Sequence, residues 1–273
     1  MKAIRKVPRY AVLILFALLI LFPVYMVVMG SFKSEFELYD NIFGLPAKIG
    51  FGNYVKAFVE GNLREYYRNS LIVTGCSLAA SLALSSMAAF ALTRLKLRGR
   101  RAIYLLFVIG IAVPTQVGVI QLALQMSRMH LTNSLLGLIL IYVSYELPFS
   151  VFVFYGFMQD IPWEIQEAAV IDGCTPFQLY SRIILPLSRS AVATVAIFNL
   201  VEIWNDMLFP LVLISKESLR TLPYGLLQFR GQYASQYTVI FAGVILITLP
   251  LVVLYLCMQK QFIRGLTQGA VKG

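Results

Sequence analysis

Six apolar stretches of roughly 20 residues punctuate the chain, at residues 10–29, 70–92, 102–125, 135–158, 191–214 and 239–258. None alternates apolar with polar positions, so they read as helices rather than barrel strands. At a rise of about 1.5 Å per residue, each reaches across about 30 Å of hydrocarbon. A bilayer offers backbone groups no partners, and helices satisfy them internally. The pattern therefore predicts an all-α membrane protein with six transmembrane helices. It divides the chain into residues 1–69 (N-terminal tail, first helix and outer loop), a core transmembrane domain at 70–258, and a tail at 259–273. The break at 159–190 differs from the others. It is polar and helix-like, with Pro and Gly punctuation.

Composition agrees with a membrane class. The 273 residues are 59% hydrophobic and 13% charged, with a mean hydropathy of +0.77, against about 25% charged in soluble domains. A net charge of +10 suggests nucleic-acid binding until the positions are read. With the N-terminus inside, the inner segments hold fourteen of the 23 Lys and Arg. The dense clusters are Lys2, Arg5, Lys6 and Arg9, then Arg94, Lys96, Arg98, Arg100 and Arg101. Lys260, Arg264 and Lys272 follow near the end. This is the positive-inside signal, so both termini are expected in the cytoplasm and no nucleic-acid partner is implied. Residues 1–29 resemble a secretory signal, but the apolar run is too long and "VVMGSFK" offers no small-x-small cleavage site. They read as a retained first span.

Several chemistries are excluded. No G-x-x-x-x-G-K-[ST] motif occurs, so nucleotide hydrolysis through a P-loop is not expected of this chain. With His130 as the sole histidine, no His-based catalytic or metal set can form. Cys76, Cys174 and Cys257 have neither metal-ligand spacing nor an evident disulfide pairing. No enzyme activity, bound cofactor or metal is expected.

In the 159–190 insert, Asp160 precedes Ile161-Pro162, which suits a helix start, with Glu164 and Glu167 near its positive end. Ala168, Ala169, Val170 and Ile171 continue that helix, Asp172 closes its polar edge, and Gly173 suits the left-handed residue that ends it. Thr175-Pro176 then reads as an N-cap with Pro in the first turn. The second helix carries Phe177, Tyr180, Ile183 and Ile184 along one edge, and Pro186 is expected to close it. An apolar edge on a polar loop calls for a partner surface. A lipid surface is the rival partner, but Asp160, Glu164, Glu167 and Asp172 disfavour anionic headgroups.

Glu167, Ala168, Ala169, Gly173, Ile183, Leu185 and Pro186 complete the pattern E-A-A, three residues, G, nine residues, I-x-L-P. This resembles the signature loop of the inner-membrane permease subunits of ATP-binding-cassette importers. "NLVEIWNDMLFPLVL", "TLPYGLLQFRGQY", "LITLPLVV" and "GLTQGAVKG" are similar to the carbohydrate-uptake branch, nearest to the second, six-span permease of maltose-type importers. The resemblance implies that the loop forms coupling helices seated on an ATPase subunit. It implies a second permease, two ATPase subunits carrying ATP and Mg, an extracytoplasmic solute-binding protein and a sugar substrate. It also implies a multi-pass location in a prokaryotic inner or plasma membrane.

Polar residues at membrane depth supply candidates for the substrate path. Glu146 lies about 16 Å into the fourth span, and Glu202 and Asp206 lie about 16–22 Å into the fifth. An acid at such depth should face protein or a wet cavity. Asn199, Glu202 and Asp206 fall on one helical stripe, and Asn205 is a further candidate. Trp204, about 200° around the helix from Glu202, either stacks on a sugar ring or packs against a neighbouring subunit. Pro148 and Pro210 free the carbonyls of Ser144 and Asp206. Gln116 and Gln121 are weaker candidates. The outer aromatics Tyr39, Phe43, Phe51, Tyr54, Tyr224, Phe229, Tyr233 and Tyr237 either cap the bundle or receive the binding protein. Two rival functions remain open: a proton-coupled carrier using Glu146, Glu202 and Asp206 as its relay, and an importer of a non-sugar solute. The absence of a repeated half weighs against the carrier.

Overall fold

The computed structural model describes residues 7–225, 227 and 236–270. Lys2, Arg5, Lys6, Phe229, Tyr233 and Lys272 lie outside the described residues, as do the side chains of Arg9, Cys257, Lys260 and Arg264. Among the described residues the secondary structure is helical and no strand occurs. The main helices are Val7–Ser31, Leu63–Arg94, Arg100–Ile111, Thr115–Arg128, Leu135–Gln159, Trp163–Ile171, Arg189–Asn205 and Tyr237–Ala270. Short helices at Glu35–Asp40, Gly52–Val59 and Leu208–Leu213 join them.

Among the described residues, three helices are long and apolar enough to cross a membrane: Tyr10–Ser31, Leu63–Arg94 and Leu135–Gln159. Two bent pairs bring the number to five if each is one span. Tyr237–Val253 is a shorter apolar helix. The first pair breaks the third apolar run, while the second bends at Ser188, ahead of the fifth, which has a separate break after Asn205. In the third, Ala112 and Val113 interrupt the helix, and Pro114 at ψ 133 starts a new one, with a bend of 105°. Proline pushes the residue before it out of helical geometry. In the fifth, the helix ends at Asn205, and Leu208–Leu213 restarts it around Pro210.

The chain forms two compact units. The first comprises residues 1–65 and 224–250. In it, the outer loop is fastened by buried polar bonds. Lys33, 1% exposed, donates to the carbonyls of Asn41 (2.6 Å) and Ile42 (3.3 Å). Asn53 Nδ2 donates to the carbonyls of Ser31 and Lys33, both at 2.8 Å. Glu35 accepts from the backbone and hydroxyl of Thr238 at 2.8 and 2.6 Å. At Gly30 a Cβ would meet the Phe241 ring at 2.7 Å, so this glycine sets the approach of the two helices. Phe51 and Tyr54 pack on Phe32, yet Tyr39, Phe43 and Phe51 stay more than 60% exposed.

The second unit comprises residues 66–223 and 251–273. Its Leu63–Arg94 helix carries a buried small-residue face: Ser70, Thr74, Ser77, Ser81 and Ser85. Small hydroxyl side chains allow close helix contact in apolar surroundings and can return their hydrogen bond to the backbone, as Ser85 does to the Ser81 carbonyl at 2.5 Å. At the start of this helix, Asn69 donates to the carbonyls of Ser218 and Arg220 at 2.8 and 3.0 Å. Asn133, at φ 52, accepts from the N–H groups of Ser215 and Lys216. The core joins Phe90, Phe154, Met158, Ala169, Tyr180, Ile184 and Val195, so the 159–190 insert shares a core with three long helices.

Gly137 is a test of close approach, since a Cβ there would stand 2.2 Å from the Leu131 carbonyl oxygen. Gly137→Ala should lower the thermal unfolding midpoint of the purified protein by several degrees. Gly156→Ala, with nothing within 4 Å of the new methyl, should leave it unchanged or raise it. Equal midpoints for the two variants would refute the close contact.

Candidate functional site

The insert folds as helix, sharp turn, helix. Its first helix starts at Trp163 with Pro162 as the cap residue, one turn later than Asp160, which instead caps the preceding Leu135–Gln159 helix. Gly173 has φ +79, and the Cys174 N–H donates to the Ala169 carbonyl at 2.9 Å. That is the left-handed close that a residue without Cβ permits. Thr175 and Gln178 form a reciprocal capping box, and Pro176 occupies the first turn.

Pro186 does not end the second helix. The turn widens over Leu179–Ile184, with the Leu185 N–H donating to the Tyr180 carbonyl. The π turn makes room where a proline ring would otherwise press on the preceding turn. The helix continues to Leu187 and turns by 75° at Ser188 into Arg189–Asn205.

The apolar edge is divided between two roles. Tyr180 and Ile184 are buried in the core, with Ile183 against it. The Tyr180 and Ser86 hydroxyls pair at 2.8 Å, and the Tyr180 and Phe90 rings are 5.4 Å apart. Phe177 is instead 68% exposed, as are Ile171 at 85% and Val170 at 58%. Of the predicted docking residues, Glu164, Glu167, Ala168, Asp172, Gly173, Pro176 and Pro186 are exposed, Leu185 is half-buried, and Ala169 is buried beneath the first helix.

Sequence reasoning missed Arg94, which it counted only as an orientation charge. Arg94 is 4% exposed. Its Nη2 donates to the carbonyls of Met158 and Ile161, and its guanidinium lies 5.4 Å from the Trp163 ring centroid. It therefore ties the entry of the insert to the Leu63–Arg94 helix. The available signal was its place at the edge of the apolar run, ahead of the exposed cluster at 96–101.

The mid-span candidates separate. Glu146 and Glu202 line one cavity of about 320 Å³, together with Gly110, Tyr145, Pro148, Phe149 and Phe198. Among the described residues, none that lines it is basic. The Phe149 and Phe198 rings are 5.2 Å apart. Those aromatics were not singled out, although Tyr145/Phe149 and Phe198/Glu202 each repeat at i, i+4. Asn199 is fully buried behind Glu146. In the amide orientation that satisfies every neighbour, it accepts from Ser81 and Ser150 at 3.1 and 2.9 Å and donates to Glu146 Oε2 at 3.0 Å. Asp206 leaves the expected stripe. Its carboxylate accepts from the N–H groups of Leu208 and Phe209, both at 3.1 Å, and from the Tyr142 hydroxyl at 2.7 Å. It caps the restarted helix, so a regular i, i+4 pairing with Glu202 does not arise. Trp204 is 3% exposed and does not line the cavity. Asn205 is exposed and bonds back to the Val201 carbonyl. Gln116 and Gln121 are exposed and also outside the cavity lining.

A family model described as binding-protein-dependent transport system inner membrane component matches residues 81–268, and the chain belongs to that family. It is 36% identical, over 95% of its length and 94% of the relative's, to AmyC of Thermoanaerobacterium thermosulfurigenes, a permease protein named for a starch degradation products transport system. It is 32% identical to the diacetylchitobiose uptake system permease protein NgcG of Streptomyces coelicolor, over 96% of this chain and 88% of that one. Its fold matches a chain of a bacterial ABC transporter involved in alginate import, with a TM-score of 0.84 at 23% identity, covering 95% and 97% of the two chains.

The buried network gives a quantitative expectation. Asn199→Leu removes the donor to a buried carboxylate and should destabilise the protein by about 1–3 kcal/mol. Adding Glu146→Leu should recover part of that loss, read by unfolding of the two single variants and the double. Strict additivity would show that the two side chains do not interact.

Proposed function

We propose that this chain is a transmembrane permease subunit of an ATP-driven, binding-protein-dependent importer for an oligosaccharide or other sugar. The observation that carries the reading is the insert: a turn at Gly173, buried anchors on one side, and Val170, Ile171 and Phe177 left exposed on the other. In a chain of this family, that face suits the groove of an ATPase subunit. ATP and Mg would then be held by two such partners and not by this chain.

Motion would reach the spans through packing. Tyr180 is bonded to Ser86 and packed on Phe90, and Arg94 grips the Met158 and Ile161 carbonyls. A displaced insert therefore carries the ends of two long helices with it as packed bodies, shifting the balance between two arrangements. Glu167 and Asp172 supply exposed negative charge for cationic or donor groups in the groove.

For the path, Tyr145, Phe149 and Phe198 offer apolar faces to sugar rings, while Glu146 and Glu202 accept hydroxyl hydrogen bonds. Among the described residues, the lining offers no cation for a phosphorylated solute. Names given to relatives, starch degradation products and diacetylchitobiose among them, support a glycan. A second permease would complete the path. Six crossings, with the broken third and fifth runs each counted once, would place both termini in the cytoplasm and the outer loop toward a solute-binding protein.

Two measurements on the reconstituted transporter test this. Glu167→Lys should cut sugar uptake by about tenfold or more, a loss of at least about 1.4 kcal/mol in coupling, with unchanged membrane insertion. Full uptake would refute the docking role. Phe149→Ala should lower uptake while leaving assembly with the ATPase subunits intact. Unaltered uptake kinetics would remove this cavity from the path.

A further inference from the structure

A second cavity, of about 720 Å³, lies where the end of the Leu63–Arg94 helix, the start of Arg100–Ile111 and residues 159–164 come together. We infer that it binds a phosphate anion, carried either by an anionic lipid headgroup or by free phosphate. None of its lining residues belongs to the aromatic cavity, and the import reading does not require it.

Its charged lining is three cations, Arg94, Lys96 and Arg100, against two carboxylates, Asp160 and Glu164. Arg94 is the telling member. It is buried, and among the described residues it makes no ion pair. Two carbonyls take its Nη2 protons, and its Nε is buried with no acceptor. A buried cation held by two carbonyl dipoles and the Trp163 ring, with no carboxylate in ion-pair contact, is incompletely compensated, and an anion in the adjoining cavity would compensate it. Lys96 and Arg100 are exposed and also lack a carboxylate partner among the described residues. The guanidinium fork of Arg100 matches two phosphate oxygens, and the Lys96 ammonium adds a movable point charge.

The remaining wall fits a headgroup-level site. Tyr155 and Trp163 line it, the residue types that favour the membrane–water boundary. Basic pockets between membrane helices recognise anionic headgroups through the same phosphate chemistry.

The test uses the full chain within its purified complex, stripped of lipid in neutral detergent. The complex is offered equal amounts of phosphatidylglycerol and phosphatidylcholine, and retained lipid is counted by native mass spectrometry. The wild type should retain several-fold more phosphatidylglycerol. Lys96→Gln/Arg100→Gln, both exposed positions, should abolish the preference, and Glu164→Gln should strengthen it. Calorimetry with inorganic phosphate forms the second arm. Phosphate binding that the double variant loses, with no preference for phosphatidylglycerol, would assign the site to free phosphate. Lipid preference and phosphate binding both unchanged in the double variant, or neither present in the wild type, would overturn the inference.

Discussion

A polar group placed among apolar helices must find its partner inside the protein, and the second unit is organised by that requirement. Ser81 and Ser150 bond to Asn199, which in turn bonds to Glu146. Tyr142 and two backbone N–H groups hold Asp206. Ser86 holds Tyr180, and two backbone carbonyls hold Arg94. Apart from the two local N–H bonds to Asp206, each bond joins elements distant in sequence, so satisfying the polar group also fixes where two helices meet. Apolar packing alone, against lipid tails equally apolar, would leave these contacts weakly specified.

The same bonds fasten local structure to the long helices. The insert takes its shape from local features: the Gly173 turn, the Thr175–Gln178 capping box and a π turn that accommodates Pro186. Tyr180 and Arg94 then fasten it to the long helices, leaving one face buried and one face free. Under the proposed docking role, force on the free face would move packed elements rather than bend side chains, because cores are close-packed and resist continuous deformation. The aromatic cavity lies between the Leu135–Gln159 and Arg189–Asn205 helices, which contribute Phe154 and Val195 to the core shared with the insert.

Much of this was legible along the chain. Apolar runs announced helices, and the insert announced its own turn, because a glycine after a helix and Thr-Pro before another are local signals. The family followed from the same short pattern. Glu146 and Glu202 were singled out by the cost of an acid at depth, and both line the cavity. Errors fell where a local rule met a nonlocal answer. Pro186 reads as a terminator, but a widened turn absorbs it. Pro114 sits inside an apolar run that looks unbroken, yet it divides the helix. Asp206 has the right period for the stripe, but its carboxylate is claimed by Tyr142, 64 residues away.

By itself, the sequence determined that the chain is helical with membrane-length apolar runs, where its polar insert turns, and which acids interrupt those runs, because hydropathy, capping and backbone preference act over a few residues. Tertiary structure alone decided which groups meet. It buried Tyr180 while exposing Phe177 four residues from its own turn, turned Arg94 from a surface charge into a clasp, and set Phe149 against Phe198 in a cavity wall. Those outcomes depend on how helices far apart in the chain pack, and no spacing within a single helix encodes that.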